Sequence, residues 1–177
     1  MRVRDHLALT SAGAALLGPW LGRGALGLWA GGVLIDADHY VWFCARQRRW
    51  GPVEAVRFFN QADSPQGLGP RLFHRRGPLL AMTLAGIARP GLRPIAAGMG
   101  LHVALDAYHD ARMRRARAAA LQRDDFACQA CGSRTPDVGT HLRRQPLLLP
   151  SFEPQNLVSL CGPCHRAAHA NGNGSWS

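Results

Sequence analysis

The residues best suited to chemistry lie in the last third of the 177-residue chain. Four of the five cysteines form two Cys-x-x-Cys pairs, Cys128 with Cys131 and Cys161 with Cys164. Four thiolates in this arrangement can hold one tetrahedral zinc ion. In a unit of about 50 residues the hydrophobic core is small, so a structural metal supplies much of the folding free energy. The pairs therefore predict a structural Zn²⁺ site in a reducing compartment.

Histidines accompany the second cysteine pair at a helical spacing. His165 and His169 are four residues apart, so both rings would project from one face of a helix, as a second metal site requires. His141 comes earlier, where a short strand would carry it towards that helix. Asn156 opens the Asn-Leu-Val-Ser-Leu run that leads to Cys161. A zinc ribbon without chemistry would explain the cysteines, but not these three histidines and the asparagine.

Residues 117–170 resemble the HNH endonuclease family, whose fold is a β-hairpin and a helix around a metal (the ββα-metal fold). The run Leu121-Gln-Arg-Asp-Asp-Phe-Ala-Cys128 is similar to the family's approach to its first cysteine pair. The resemblance implies a general base at His141, with Asn156 orienting the water or helping to hold the metal. It also implies a catalytic divalent cation (Mg²⁺, Mn²⁺, Ni²⁺ or Zn²⁺) on His165 and His169. The implied activity is hydrolysis of nucleic-acid phosphodiester bonds, by nicking or weakly specific DNA cleavage.

Thr140 departs from the family pattern, because the residue before the general base is usually a His or Asp that binds the metal. A hydroxyl is a poor ligand beside an imidazole or a carboxylate. This departure supports an alternative, a catalytically impaired, zinc-stabilised module that only binds nucleic acid.

The charge of the chain indicates a polyanionic partner. Its net charge is +10, and all 21 basic residues are arginines. A nucleic acid, most simply DNA, fits this excess, as does an anionic membrane surface. Arg123, Arg143, Arg144 and Arg166 are the predicted nucleic-acid contacts. The arginine cluster at residues 112–117 fits DNA and lipid headgroups equally well.

The first 111 residues predict a helical domain. Four apolar stretches cover residues 7–21, 24–43, 78–88 and 94–108, with arginine-rich segments placed as the positive-inside rule expects for two hairpins in a membrane. Only the second stretch reaches the length of a membrane helix, and it contains Asp36, Asp38 and His39, so a soluble bundle stays open. We expect a membrane-associated four-helix domain that holds the nuclease at the cytoplasmic face of the inner membrane; the alternative is a cytoplasmic protein.

Ionisable side chains interrupt these apolar stretches, which is costly unless they pair or bind a metal. They are Asp36, Asp38, His39, His74, His102 and Asp106. His102 and Asp106 share a helix face. The set resembles the membrane-bound metal-dependent hydrolase family (LexA-binding inner-membrane hydrolases), through Asp-x-Asp-His, His-Arg-Arg-Gly and His-x-x-x-Asp elements. The resemblance implies that all six bind metal; simple helix capping and loop polarity are the alternative.

The predicted fold class is α+β, with an α-helical domain at residues 1–111 and a zinc-stapled ββα-metal domain at residues 112–177. The second domain would begin with a basic linker and end in a disordered tail from residue 171. A further possibility is that the N-terminal cluster carries the chemistry while the C-terminal domain only recruits nucleic acid. The sequence leaves the oligomeric state open.

Overall fold

The computed structural model describes residues 3–60, 72–144 and 151–170. The fold belongs to the α+β class, since helices dominate and one two-stranded sheet accompanies them. The chain divides into two compact units, Met1–Ala107 and Tyr108–Ser177. The predicted disordered tail lies outside the described residues.

Unit 1 is helical throughout its described part. Its helices are α1 (Val3–Leu21), α2 (Gly24–Leu34), α3 (Ala37–Gln47), α4 (Pro52–Asn60), α5 (Arg76–Ala88) and the first half of α6 (Arg93–Arg123). A tight turn joins α1 to α2, and Gly22 adopts a left-handed conformation there (φ 51°) that an L side chain would strain. The two helices pack along each other as a hairpin.

Two features of unit 1 differ from the predicted four-helix domain. The apolar stretch 24–43 is not one helix, because the chain turns at Ile35–Asp36 and begins α3 at Ala37. The short helix α4 follows, with Pro52 as its first residue, a position where the missing amide hydrogen costs nothing. Among the helices in the described part of the chain, none is long and apolar enough to cross a membrane. The predicted membrane association stays a prediction.

Helices α2 and α6 approach so closely that only glycine fits between them. A Cβ atom on Gly31 would lie 2.1 Å from the carbonyl oxygen of Ile95, and one on Gly98 would lie 2.1 Å from that of Leu28. Both distances are far inside van der Waals contact, so the two backbones touch through the glycines. This contact fixes the carbonyl of Gly32 relative to His102, as described below.

Unit 2 is built around a β-hairpin. Strands β1 (Gly139–Leu142) and β2 (Leu157–Leu160) pair antiparallel, and α7 (Gly162–Ala170) follows. All four residues of β2 are buried, because its two faces pack against different groups. Leu157 packs with Ala116 and Ala120 of α6. Val158 and Leu160 on the other face pack with Cys128, Cys161 and Ala168.

Helix α6 runs without interruption through the arginine cluster to Arg123, so the segment predicted as a basic linker is helical. Alanine and arginine are both strong helix formers, which explains the continuation. At its end, Arg123 forms a two-point ion pair with Asp124 and donates to the carbonyls of Pro154 and Leu157. Asp124 also accepts from the Ser159 amide (3.1 Å). These bonds tie the helix to β2.

Candidate metal centres

The four paired cysteines converge at one point of unit 2. Their sulfur atoms all lie within 4.8 Å of one another, and Cys131 Sγ is 3.7 Å from Cys161 Sγ. Zinc–sulfur bonds of 2.3 Å give a tetrahedron with sulfurs about 3.8 Å apart. The geometry therefore fits a structural metal such as zinc, and Cys128, Cys131, Cys161 and Cys164 are the residues that could hold it.

The surroundings of Cys128 favour the thiolate that a metal needs. Burial opposes ionisation of this sulfur, but backbone amides of Cys161, Cys131 and Ala130 stabilise the charge and lower its pKa to about 6. Amides directed at a sulfur in this way are typical of a metal-binding knuckle, because they disperse thiolate charge. The pKa of Cys164 is raised instead, to about 12, by its hydrogen bond to Cys161 and by burial.

The three histidines of unit 2 also converge. The ring of His141 lies 5.0 Å from that of His165 and 4.7 Å from that of His169, and the last two rings are 4.7 Å apart. One nitrogen from each lies within 4.8 Å of the others. His165 and His169 come from one face of α7, and His141 is a buried residue of β1. The group could hold a cation on two or three imidazoles.

The register of the hairpin explains why His141, and not Thr140, reaches this group. His141 lies opposite Val158, and Thr140 lies opposite Ser159. Directly opposed residues of antiparallel strands share a face, and neighbours along a strand alternate. Val158 belongs to the cluster packed against α7, so His141 faces the helix and Thr140 faces away. A metal ligand at position 140 would need a different course of the strand.

Asn156 fastens the loop that joins the two strands. Its Oδ1 accepts from the amide of Arg144 (3.0 Å), and its Nδ2 donates to the carbonyl of the same residue (2.9 Å). The amide of Arg143 donates to the Asn156 carbonyl at 2.8 Å. Both ends of the side chain are thus engaged with backbone, so Asn156 positions the strand that carries His141. Its predicted contact with water or metal stays a prediction.

The four predicted nucleic-acid arginines have different surroundings. Arg144 and Arg166 are exposed, and Arg143 is half-buried. Arg123 is committed to the clamp described above, in which each of its three guanidinium nitrogens donates a hydrogen bond. Its contacts give it a structural role, which the sequence did not indicate.

A second group of ligand atoms lies in unit 1. The break between α2 and α3 brings Asp36 close to His74, which lies in the turn before α5, and to α6. Asp36, His74 and His102 form one three-ligand set through Asp36 Oδ1 and the two Nε2 atoms, and Asp106 Oδ2 lies near both nitrogens. The two nitrogens are 3.2 Å apart; Asp36 is 3.5 Å from each, and Asp106 is 3.6 and 3.9 Å away. Ligands at about 2.1 Å from one metal lie about 3.4 Å apart in a tetrahedron. These distances fit a cation held by imidazole and carboxylate groups.

Second contacts orient these ligands. Nδ1 of the fully buried His102 donates to the carbonyl of Gly32 (2.8 Å), which directs Nε2 towards Asp36 and Asp106. Asp38 accepts from the Phe73 amide (3.0 Å) and from His39 Nδ1 (2.6 Å). Asp36 occupies the N-cap of α3, yet its side chain makes no capping hydrogen bond. The capping alternative therefore does not describe Asp36.

Electrostatics concentrates protons in this group. Burial lowers the pKa of His74, but its bonds to Asp36 and Asp38 outweigh burial and raise that pKa to about 9. Burial raises the pKa of Asp36, Asp38 and Asp106, but hydrogen bonds and charges of the neighbouring histidines prevail and lower it. A divalent cation would replace protons that the group already attracts.

His6 also belongs to this group, although it was not among the residues predicted from the sequence. Its Nε2 lies 2.9 Å from Asp106 Oδ1, and its ring stacks on that of His102 with centroids 3.8 Å apart. It is buried, next to the fully buried Asp5. The signal was present in the sequence, since Asp5 and His6 are an ionisable pair at the edge of the first apolar stretch, like those singled out in the second and fourth.

Comparison with known proteins adds no relative. No family model matches the chain, and neither the curated proteins nor the solved structures include a significant match.

Proposed function

We propose that the chain is a metal-dependent endonuclease that hydrolyses phosphodiester bonds of nucleic acid, with its chemistry in unit 2. The observation that carries this proposal is the meeting of His141, His165 and His169 beside a four-cysteine site. The cysteines alone would serve stability. A structural zinc site alone would not account for three further imidazoles that converge at one point of a basic domain.

The residues divide into distinct roles. His165 and His169 hold the catalytic cation, which when bound polarises the phosphate and stabilises the leaving 3′ oxygen. His141 accepts the proton of the attacking water through a ring nitrogen, as a general base. Asn156 keeps the strand of His141 in register through Arg144. The exposed Arg144 and Arg166, with Arg143, contact backbone phosphates, which favours nicking with weak sequence preference.

The test is a nicking assay on the full-length protein. Supercoiled plasmid is incubated with Mg²⁺, Mn²⁺, Ni²⁺ or Zn²⁺, and nicked circles are quantified. His141→Ala should lower the rate by about 10²- to 10⁴-fold, the range for a lost general base. Thr140→Ala, its neighbour on the opposite strand face, is the matched control and should nick within a few-fold of the wild type.

Each other result has a definite meaning. A wild-type protein that binds plasmid but never nicks it would replace the proposal with the zinc-stabilised binding module. Normal nicking by the His141→Ala protein would show that His141 is not the general base. Metal analysis separates one further case: if His141→Ala loses one equivalent of bound cation, His141 is a third ligand and a metal-bound water must act without it.

A second function is supported by the unit 1 group, and we propose it as the alternative: hydrolysis at a cation held by Asp36, His74, His102 and Asp106. Its support is the three-ligand set of Asp36, His74 and His102, with Asp106 Oδ2 3.6 and 3.9 Å from the two imidazole nitrogens. Asp106→Ala should cut metal binding at least about tenfold and abolish hydrolysis of a nitrophenyl phosphate diester. Asp110→Ala, an exposed carboxylate one turn later, is the control. Plasmid nicking that survives in Asp106→Ala would leave unit 2 as the nuclease.

A further inference from the structure

A cleft in unit 2 combines arginines with aromatic rings. It lies between the second half of α6 and the segment before β2, and we call it the α6 cleft. Its lining is Arg112, Arg115, Ala116, Ala119, Phe152 and Pro154. Tyr108, Arg112, Arg115 and Ala119 recur at intervals of four, three and four residues, so they share one face of the helix.

Two aromatic rings flank one guanidinium in this cleft. The Cζ atom of Arg112 lies 5.6 Å from the ring centroid of Phe152 and 6.0 Å from that of Tyr108. The two rings meet edge to face at 6.2 Å. A guanidinium stacked on rings uses its plane for packing and keeps its N–H edge available for an anion. The aromatic contacts thus orient Arg112 without neutralising it.

The positive charge of the cleft has no described counterion. Across residues 3–60, 72–144 and 151–170, no carboxylate lies within ion-pair distance of Arg112 or Arg115. Two other arginines of unit 2 do form ion pairs, Arg123 with Asp124 and Arg134 with Asp125. Two neighbouring cations at an aromatic surface form a site for a phosphate attached to a planar group.

We propose that the α6 cleft binds single-stranded nucleic acid. This inference rests on the proposed function and names its substrate class. Arg112 and Arg115 bind one or two phosphates, and an unpaired base stacks on one of the planes present, the ring of Phe152 or the guanidinium of Arg112. Bases stack readily on both aromatic and guanidinium planes when they are free of a duplex.

The cleft is connected to the strand that carries His141. Pro154 lines the cleft, and two residues later Asn156 holds the backbone of Arg144, which lies three residues beyond His141. These contacts link the cleft to β1, which carries His141. A lipid headgroup would use the same arginines, but the rings would add nothing to its binding; the rings favour nucleic acid.

The experiment measures binding of a fluorescein-labelled, 12-nucleotide single strand by anisotropy. All proteins are full-length and carry His141→Ala so that the strand stays intact. Arg112→Ala with Arg115→Ala should raise Kd at least about tenfold and reduce the salt-dependence slope by about 1.4, as expected for two phosphate contacts to a single strand. Phe152→Ala should raise Kd about tenfold for the single strand but leave duplex binding unchanged. Arg134→Ala, which removes an exposed arginine elsewhere, is the control.

Two results would overturn the inference. One is an unchanged Kd for the single strand in both the arginine pair and Phe152→Ala. The other is a loss of binding to phosphatidylglycerol vesicles in the arginine pair while oligonucleotide binding persists, which would assign the cleft to lipid. Nicking is measured separately, with the wild-type protein. If the cleft variants lose single-strand binding but the wild-type protein does not nick plasmid, the proposed nuclease function is wrong and the binding site stands. If the wild-type protein nicks plasmid but the cleft variants bind the single strand normally, the nuclease function stands and the binding site is wrong.

Discussion

Single residues decide how the ligand groups are presented. In unit 1, the bond from His102 Nδ1 to the Gly32 carbonyl selects the ring nitrogen that faces the carboxylates. That carbonyl is available only because α2 and α6 touch, and the contact requires Gly31 and Gly98. The position of the His102 ring therefore depends on the absence of a Cβ atom at Gly31 and at Gly98.

Gly98→Ala tests this dependence. The added methyl would lie 2.1 Å from the Leu28 carbonyl oxygen and 2.8 Å from the Gly32 nitrogen, so the helices must separate. Such overpacking costs about 1–3 kcal/mol, which urea unfolding monitored by circular dichroism can resolve. Because Gly32 would shift with α2, metal affinity of the unit 1 group should also fall.

Gly100→Ala is the matched control, since no atom lies within 4 Å of its added methyl. Alanine is the better helix former, so this variant should be as stable as the wild type or gain about 0.5–1 kcal/mol. Equal stability of the two variants would show that the close approach of the helices does not constrain the fold.

At the scale of helices and strands, the features that the sequence predicted correctly were those marked by a fixed residue spacing. Residues with a fixed spacing could be placed from the sequence: the structure brings the four cysteines together and puts His165 and His169 on one face of α7. The hairpin was expected as well, although β2 shows no polar alternation, since both of its faces are buried. The spacing within each cysteine pair and within the histidine pair is only three or four positions, and the meeting of the two cysteine pairs followed from the four thiolates that one zinc ion can hold.

Elements defined by tertiary contact were harder to predict. The composition of an apolar run does not show where the run turns. The break at Ile35–Asp36 could therefore not be predicted, because it depends on the contacts of Asp36 with His74 and His102. The arginine cluster suggested a linker, but its alanines and arginines continue α6. His6 lies 100 positions from Asp106, so no local pattern could pair them.

On the scale of the whole molecule, two compact units each contain ligands for a metal, but only unit 2 contains thiols suited to zinc. Its described buried core is small: Cys128, Val158, Leu160, Cys161 and Ala168 on one side of β2, and Ala116, Ala120 and Leu157 on the other. Two of those eight residues are themselves cysteines of the proposed zinc site. Folding of unit 2 should therefore depend on metal in a way that unit 1 does not share.

Cys131→Ser tests that dependence in the full-length chain. Cys131 is exposed, so the substitution removes a ligand with little loss of packing. We expect the loss of one equivalent of zinc by mass spectrometry and early protease cleavage within unit 2, because binding of a structural zinc contributes about 10–16 kcal/mol in small domains. Cys44→Ala is the control: this buried thiol packs among aromatic residues of unit 1, so zinc content should not change. A Cys131→Ser protein with full zinc content and wild-type protease resistance would show that unit 2 folds without the four-cysteine site.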